Sequence, residues 1–243
     1  MGLGVGDLNA DGLPDLVITD RDAIHMMMSS KGFWYDAAMS QGLTPGTDQH
    51  TAWRVELADM DNDGDLDAPM VSGPPETGKF TDQPDALWIQ ASDGTFTDQA
   101  AQWGLAQTSS GRGLVTADLN DDGWLDLIKT DYLGGPATAH LSRCGAEGWL
   151  VVRLDGHAPN TGGIGARITA TAGDATWTRW LSAGSTSLGS SSPPETHIGL
   201  DMIDTVDSLT ITWPGGGETT YTDIPTRQVL TVSQDEADLD SAR

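Results

Sequence analysis

Three short stretches of the chain share one spacing, D-x-[D/N]-x-D-G-x-x-D. The first carries Asp7, Asn9, Asp11, Gly12 and Asp15; the second Asp59, Asp61, Asp63, Gly64 and Asp67; the third Asp118, Asn120, Asp122, Gly123 and Asp126. Oxygen-bearing side chains fall at positions 1, 3, 5 and 9, and glycine always holds position 6. Hard cations such as Ca²⁺ take six to eight oxygen ligands. Alternate carboxylates on a tight loop can converge on one point, and the glycine allows the turn that wraps them. Position 7, filled by Leu13, Asp65 and Trp124, is placed to add a backbone carbonyl. A single copy is compatible with an acidic surface turn. Three in register predict calcium loops, with up to three ions.

These are not EF-hands, which need a bidentate Glu at position 12 and a helix on each side. Position 12 here is Ile18, Met70 and Lys129. The segments after the loops, such as Leu16-Val17-Ile18-Thr19 and Leu125-Asp126-Leu127-Ile128, are short, apolar and β-branched, so each loop is expected to join two strands. The Asp at position 9 would close it.

The loops start at residues 7, 59 and 118, a repeat period which, with strands, points to propeller blades. Gly32-Phe33-Trp34-Tyr35-Asp36 before Gly42-Leu43 matches Gly94-Thr95-Phe96-Thr97-Asp98 before Gly104-Leu105. Each unit reads as loop, two strands, a Gly-aromatic-Asp turn, and an Ala-rich helix or turn. The insert Gly73–Gly78 reads as a surface loop. Near Ser142-Arg143-Cys144 the composition changes, and strands such as Trp149–Leu154, Gly165–Thr171, Leu209–Trp213 and Val229–Val232 predict a small β-sandwich. The expected division is blades over 1–143, sandwich over 144–233 and an acidic, disordered tail over 234–243.

On these residues the first part resembles the FG-GAP/VCBS repeats of integrin-alpha-type propellers, whose loops bind calcium. Trp149-Leu150, Asn160–Arg167, His197-Ile198-Gly199-Leu200 and Trp213–Gly216 make the second part similar to the ASPIC/UnbV domain. Repeats followed by that domain is the order of the cartilage acidic protein-like family. The resemblance implies an all-β chain, a partial propeller followed by a sandwich. It also implies an extracellular, cell-surface or periplasmic location and a role in adhesion or interaction. The chain opens inside a repeat, without a signal peptide, and is expected to be the C-terminal part of a longer protein.

The net charge is −24, with 36 acidic residues against 12 basic ones, which argues against nucleic acid as a partner because phosphate contacts need Lys/Arg patches. No run of 18 apolar residues exists, so no helical membrane insertion is expected. The single cysteine, Cys144, excludes an internal disulfide and reads as a small packed side chain. The remaining partner class is a protein or carbohydrate ligand. Trp124, beside a loop, is the candidate for carbohydrate stacking. Met26-Met27-Met28 reads as interblade packing, His197 as a structural hydrogen bond within the sandwich, and Asn160 and Arg167 as turn and surface positions.

Neither G-x-S-x-G nor H-E-x-x-H occurs, and the histidines do not fall at ligand spacing. Glycoside hydrolysis needs a carboxyl kept protonated in a pocket, whereas carboxylates sharing Ca²⁺ stay ionised. The chain therefore reads as a non-enzymatic calcium-binding module. The alternative is an enzyme or enzyme subunit with its centre upstream of this chain or at the domain junction.

Overall fold

A computed structural model describes residues 2–44, 51–75, 83–132, 134–142, 145–184, 190–235 and the backbone of 240–242. Cys144 and the Glu76–Gly78 part of the insert lie outside the described residues. The chain is all-β: a partial propeller followed by a sandwich.

The first blade is the sheet β1 (Leu3–Gly6), β2 (Asp15–Thr19), β3 (Ile24–Ser30) and β4 (Phe33–Asp36), antiparallel throughout. The first loop joins β1 to β2. Lys31 and Gly32, both at positive φ (44° and 96°), make the tight β3–β4 turn. The second blade is β5 (Ala52–Val55), β6 (Ala68–Ser72), β8 (Ala86–Gln90) and β9 (Phe96–Asp98); β7 (Gln83–Pro84) leaves this sheet to pair with β10 (Thr108–Ser109). The third is β11 (Gly111–Ala117), β12 (Asp126–Asp131) and β13 (Thr138–His140). The second and third loops occupy the same place in their blades as the first.

Burial comes from stacking of the blades. One apolar cluster joins the first and second blades through Met26, Met28, Leu43, Met70 and Phe96. Another joins the second and third through Val71, Leu87, Leu114 and Leu127. The middle blade is covered on both faces, so β6 and β8 are buried at every residue, while β4 is exposed at every residue. Met26 and Met28 of the methionine run pack between blades, as the sequence implied, while Met27 is half-buried and outside that cluster.

The Gly-aromatic-Asp repeat has a physical basis. Asp36 Oδ1 accepts the Met26 and Ala38 N–H groups, and Asp98 Oδ1 those of Leu87 and Ala100, folding the chain back after the last strand of each blade. The segment after each Asp is a turn, closed by Leu43 N–H to Ala38 O and by Leu105 N–H to Ala100 O, and not a helix. Phe96 is sealed against the first blade; Trp34, its counterpart, is 46% exposed. Gly73 and Pro74, expected on the surface, are buried, and their carbonyls accept from Trp53 Nε1 and Arg112 Nη2. Arg112 also lies over Trp53 and Tyr132.

The sandwich packs the sheet β17 (Thr196–Gly199), β14 (Trp149–Asp155), β20 (Gln228–Ser233) and β21 (Asp240–Ala242) on the sheet β16 (Ala175–Trp180), β15 (Arg167–Ala172), β18 (Thr205–Thr212) and β19 (Glu218–Pro225). Alternate residues of β14, β15, β18 and β20 meet in one core around Leu150, Val152, Ile168, Leu209, Ile211 and Leu230. The tail expected to be disordered contributes β21, whose pairing with β20 covers an otherwise open sheet edge. Asn160 clamps its turn by bonding both N–H and C=O of Ile164, and Arg167 is exposed.

Candidate metal centre

The loops share one hydrogen-bond plan. The position 9 carboxylate accepts the position 2 N–H on Oδ2: Leu8 to Asp15 (3.0 Å), Met60 to Asp67 (2.7 Å), Leu119 to Asp126 (3.0 Å). Its Oδ1 accepts an N–H from the third strand of the blade or just beyond it, from Ser29, Gln90 and Ser142 respectively. The position 1 carboxylate accepts the glycine N–H: Gly12 to Asp7, Gly64 to Asp59, Gly123 to Asp118. At position 5, Asp11, Asp63 and Asp122 each accept the position 7 N–H at 2.9 Å, from Leu13, Asp65 and Trp124. Thus position 5 holds its own turn. Position 4, which the spacing does not flag, is left-handed in every loop: Ala10 (φ 55°), Asn62 (61°) and Asp121 (57°).

Among the described residues, one group of three carboxylates brings its oxygens within 4.8 Å of one another: Asp59, Asp61 and Asp67 of the second loop. Asp63 stays exposed at the loop surface. The first and third loops carry Asn, not Asp, at position 3. Asn9 Nδ2 donates to Asp11 Oδ2 (3.2 Å) and Asn120 Nδ2 to Asp122 Oδ2 (2.9 Å), so an amide links two positions that would otherwise both be acidic. Asp61 has no such proton to give when ionised. Asp59 Oδ1, Asp61 Oδ1 and Asn62 Oδ1 are buried without a hydrogen-bond partner.

The same crowding sets the electrostatics of the loop. Burial pushes the Asp59 carboxyl up to about 8, with the Asp63 and Asp61 charges adding to the rise and Arg179 opposing it. Burial and the Asp63 charge raise Asp61 to about 6. Burial, then the charges of Asp61 and Asp59, hold Asp67 well above the usual carboxylate range. Burial also raises Asp7 and Asp15, against backbone hydrogen bonds that pull the other way. Crowded, desolvated carboxylates are relieved either by protons or by a cation. Orphaned oxygens on an oxygen-only donor set suit a hard cation such as Ca²⁺. A carboxyl near 8 could also act as an acid, but Asp59 is 1% exposed and its Oδ2 is held by two backbone N–H groups.

The sandwich is seated on this centre, which the loop spacing alone does not reveal. Gly199 N–H donates to Asp59 Oδ2 (3.0 Å), Arg179 Nη2 to Gly64 O (2.9 Å), and Asp201 N–H to Asn62 O (2.8 Å). Asn62 Nδ2 and His197 Nε2 both reach Gly123 O, at 3.1 and 3.0 Å. His197 thus bonds across the domain junction rather than within the sandwich. Trp177 lies over Gly64 and Trp149 over Gly123, so a Cβ at either glycine would collide with an indole. Trp124 is 8% exposed, which rules out the open stacking face expected of it. A cavity of about 290 Å³ between the first strands of the blades and the sandwich is bordered by Glu56, Asp59, Arg179, Glu195 and His197. The signal available in sequence was Gly199, inside the His-Ile-Gly-Leu motif; nothing marked Arg179 or Asn62.

Hairpins that carry acidic loops, stacked as blades and followed by a sandwich, define a propeller-repeat protein with an appended all-β domain. The FG-GAP-like repeat family matches residues 7–68 and 77–128, and the family described as ASPIC and UnbV matches residues 156–239. The chain is built of FG-GAP-like repeats followed by an ASPIC and UnbV domain. No curated protein matches it. Among solved structures it is similar to a protein from Bacteroides uniformis provisionally described as a cell adhesion protein, at 9% identity over 99% of this chain and 94% of that one. The TM-score of 0.24 is too low for that likeness to carry an argument. No helix among the described residues is long and apolar enough to cross a membrane.

Proposed function

We propose that this chain is a calcium-stabilised interaction module of the adhesion type that works outside the cell or at its surface. The observation that carries the reading is the convergence of Asp59, Asp61 and Asp67 with buried, unpartnered oxygens on the first two. Asp59, Asp61 and Asp67 would hold the ion; it would neutralise their charge and fix the β5–β6 hairpin against the sandwich. The ligand is a protein or a glycan. The FG-GAP-like repeats support the adhesion role and location, and the order of domains supports placement with the cartilage acidic protein-like group. The module is read as a binding protein and not an enzyme, since its conspicuous carboxylates are used in loop closure.

The second loop is proposed as the tightest site, with a dissociation constant of roughly 10⁻⁴–10⁻³ M typical of extracellular modules. Calorimetric titration with CaCl₂, paired with thermal melts in calcium and in chelator, tests it. The expected result is a saturable event lost in Asp61→Ala and a higher Tm in calcium. A flat titration with identical melts would overturn the reading.

A further inference from the structure

Arg179, on β16 of the sandwich, is 7% exposed. Its Nη2 bonds Gly64 O inside the second loop, its Nη1 bonds Thr178 O, and its Nε is buried without a partner. The carboxylates that feel its charge belong to two loops: Asp59, Asp7, Asp65 and Asp67. Arg54, also buried, pairs with Glu56. Arg179 is instead bonded to backbone carbonyls, and one of them belongs to Gly64, whose N–H donates to Asp59 Oδ2 (2.9 Å). From the same domain the Gly199 N–H reaches Asp59 Oδ2, at a position where a Cβ would lie 2.2 Å from that oxygen and 2.5 Å from Asn62 Cα. The sandwich therefore brings positive charge to the one loop whose position 3 acid cannot donate a hydrogen bond.

We propose that Arg179 is an internal counter-cation for the second loop, delivered by docking of the ASPIC and UnbV domain, and that it competes with calcium for the charge of Asp59 and its neighbours. This rests on the calcium reading above. Two cations near the same carboxylates repel each other, and the low polarity of a buried site strengthens that repulsion. The arrangement keeps the loop folded when calcium is scarce and lowers its affinity for the ion. The first and third loops do not depend on it in the same way, because Asn9 and Asn120 already relieve their position 5 acids.

The test uses the full chain with Arg179→Gln and Arg179→Lys, each titrated with CaCl₂ and melted in chelator and in calcium. Arg179→Gln should bind calcium at its tightest site on the order of tenfold more tightly. Its Tm should fall in chelator and recover in calcium. Arg179→Lys keeps the charge and should keep the wild-type affinity. A merely structural role would lower Tm equally in both media and leave affinity unchanged; that result overturns the proposal, as does an Arg179→Gln protein that fails to fold even in calcium. If the wild type binds calcium and the variants bind it alike, only the competition fails. If the wild type binds none, the functional reading fails with it.

Discussion

Asn120 donates its side-chain N–H to the Asp122 carboxylate two residues on, at 2.9 Å, and the matching pair in the second loop, Asp61 and Asp63, has no proton for that bond while both are ionised. Position 3 thus separates two loops that hold an internal amide–carboxylate bond from one that lacks it, and the loop that lacks it, covered by the sandwich, has orphaned, buried oxygens. The chemistry of the three sites diverges there although their spacing is the same.

The difference can be transferred. Asp61→Asn should raise Tm in chelator by a few degrees, through one recovered hydrogen bond worth about 1 kcal/mol and one charge removed, and should abolish the tightest calcium event. Asn120→Asp should do the opposite in the third loop, lowering Tm in chelator and adding a calcium-dependent gain. Paired melts and titrations of both variants check this. A lower Tm for Asp61→Asn in chelator would contradict it.

The buried acids set a pH dependence with a definite sign. Asp59, raised to about 8, and Asp61, raised to about 6, bind protons in the folded chain more strongly than in the unfolded one. Their contribution is fully present below the unfolded carboxylate value near 3.8, and is lost as pH rises through about 6 and then 8. In chelator, lowering the pH from 8.5 towards 5 should therefore stabilise the protein. Saturating calcium should flatten that slope, and calcium affinity should weaken as pH falls, because protons and the ion compete. Denaturant titrations across this range in both media decide it.

Position 6 glycines should differ in cost. Gly12 is left-handed (φ +77°) with open space around its missing Cβ, so Gly12→Ala should cost only about 1 kcal/mol of backbone strain. Gly123 has a similar φ (+84°), but a Cβ there would lie 1.8 Å from the Trp149 ring, so Gly123→Ala should cost about 3 kcal/mol or more by displacing the sandwich. Equal losses on chemical unfolding would show that Trp149 does not hold the domain on the loop.

The junction should also depend on Asn62. Its amide bonds Gly123 O and its carbonyl accepts from Asp201, linking two loops and the sandwich. Asn62→Gly keeps the left-handed backbone and loses the amide, costing about 1–2 kcal/mol and raising hydrogen exchange at residues 196–203 more than in β2. Uniform exchange changes across the chain would contradict a local role.

Much of this protein was legible in its sequence because its information there is local. The repeated spacing placed each loop between two strands, since a carboxylate at position 9 folds back onto the N–H at position 2 within eight residues. The Gly-aromatic-Asp turns and the two-residue alternation of β18 were readable for the same reason. The tertiary structure decided which loop gathers three crowded carboxylates, and which elements cover it. Asp59 meets Gly199 and Gly64 meets Arg179 over separations of 140 and 115 residues, and no local pattern encodes such contacts. Trp124, the candidate for carbohydrate stacking, is buried, and Gly145 lies against its ring. Spacing determined which oxygens each loop carries; burial by a distant domain determined their charge balance, because desolvation and Coulomb interactions depend on neighbours in space and not in sequence.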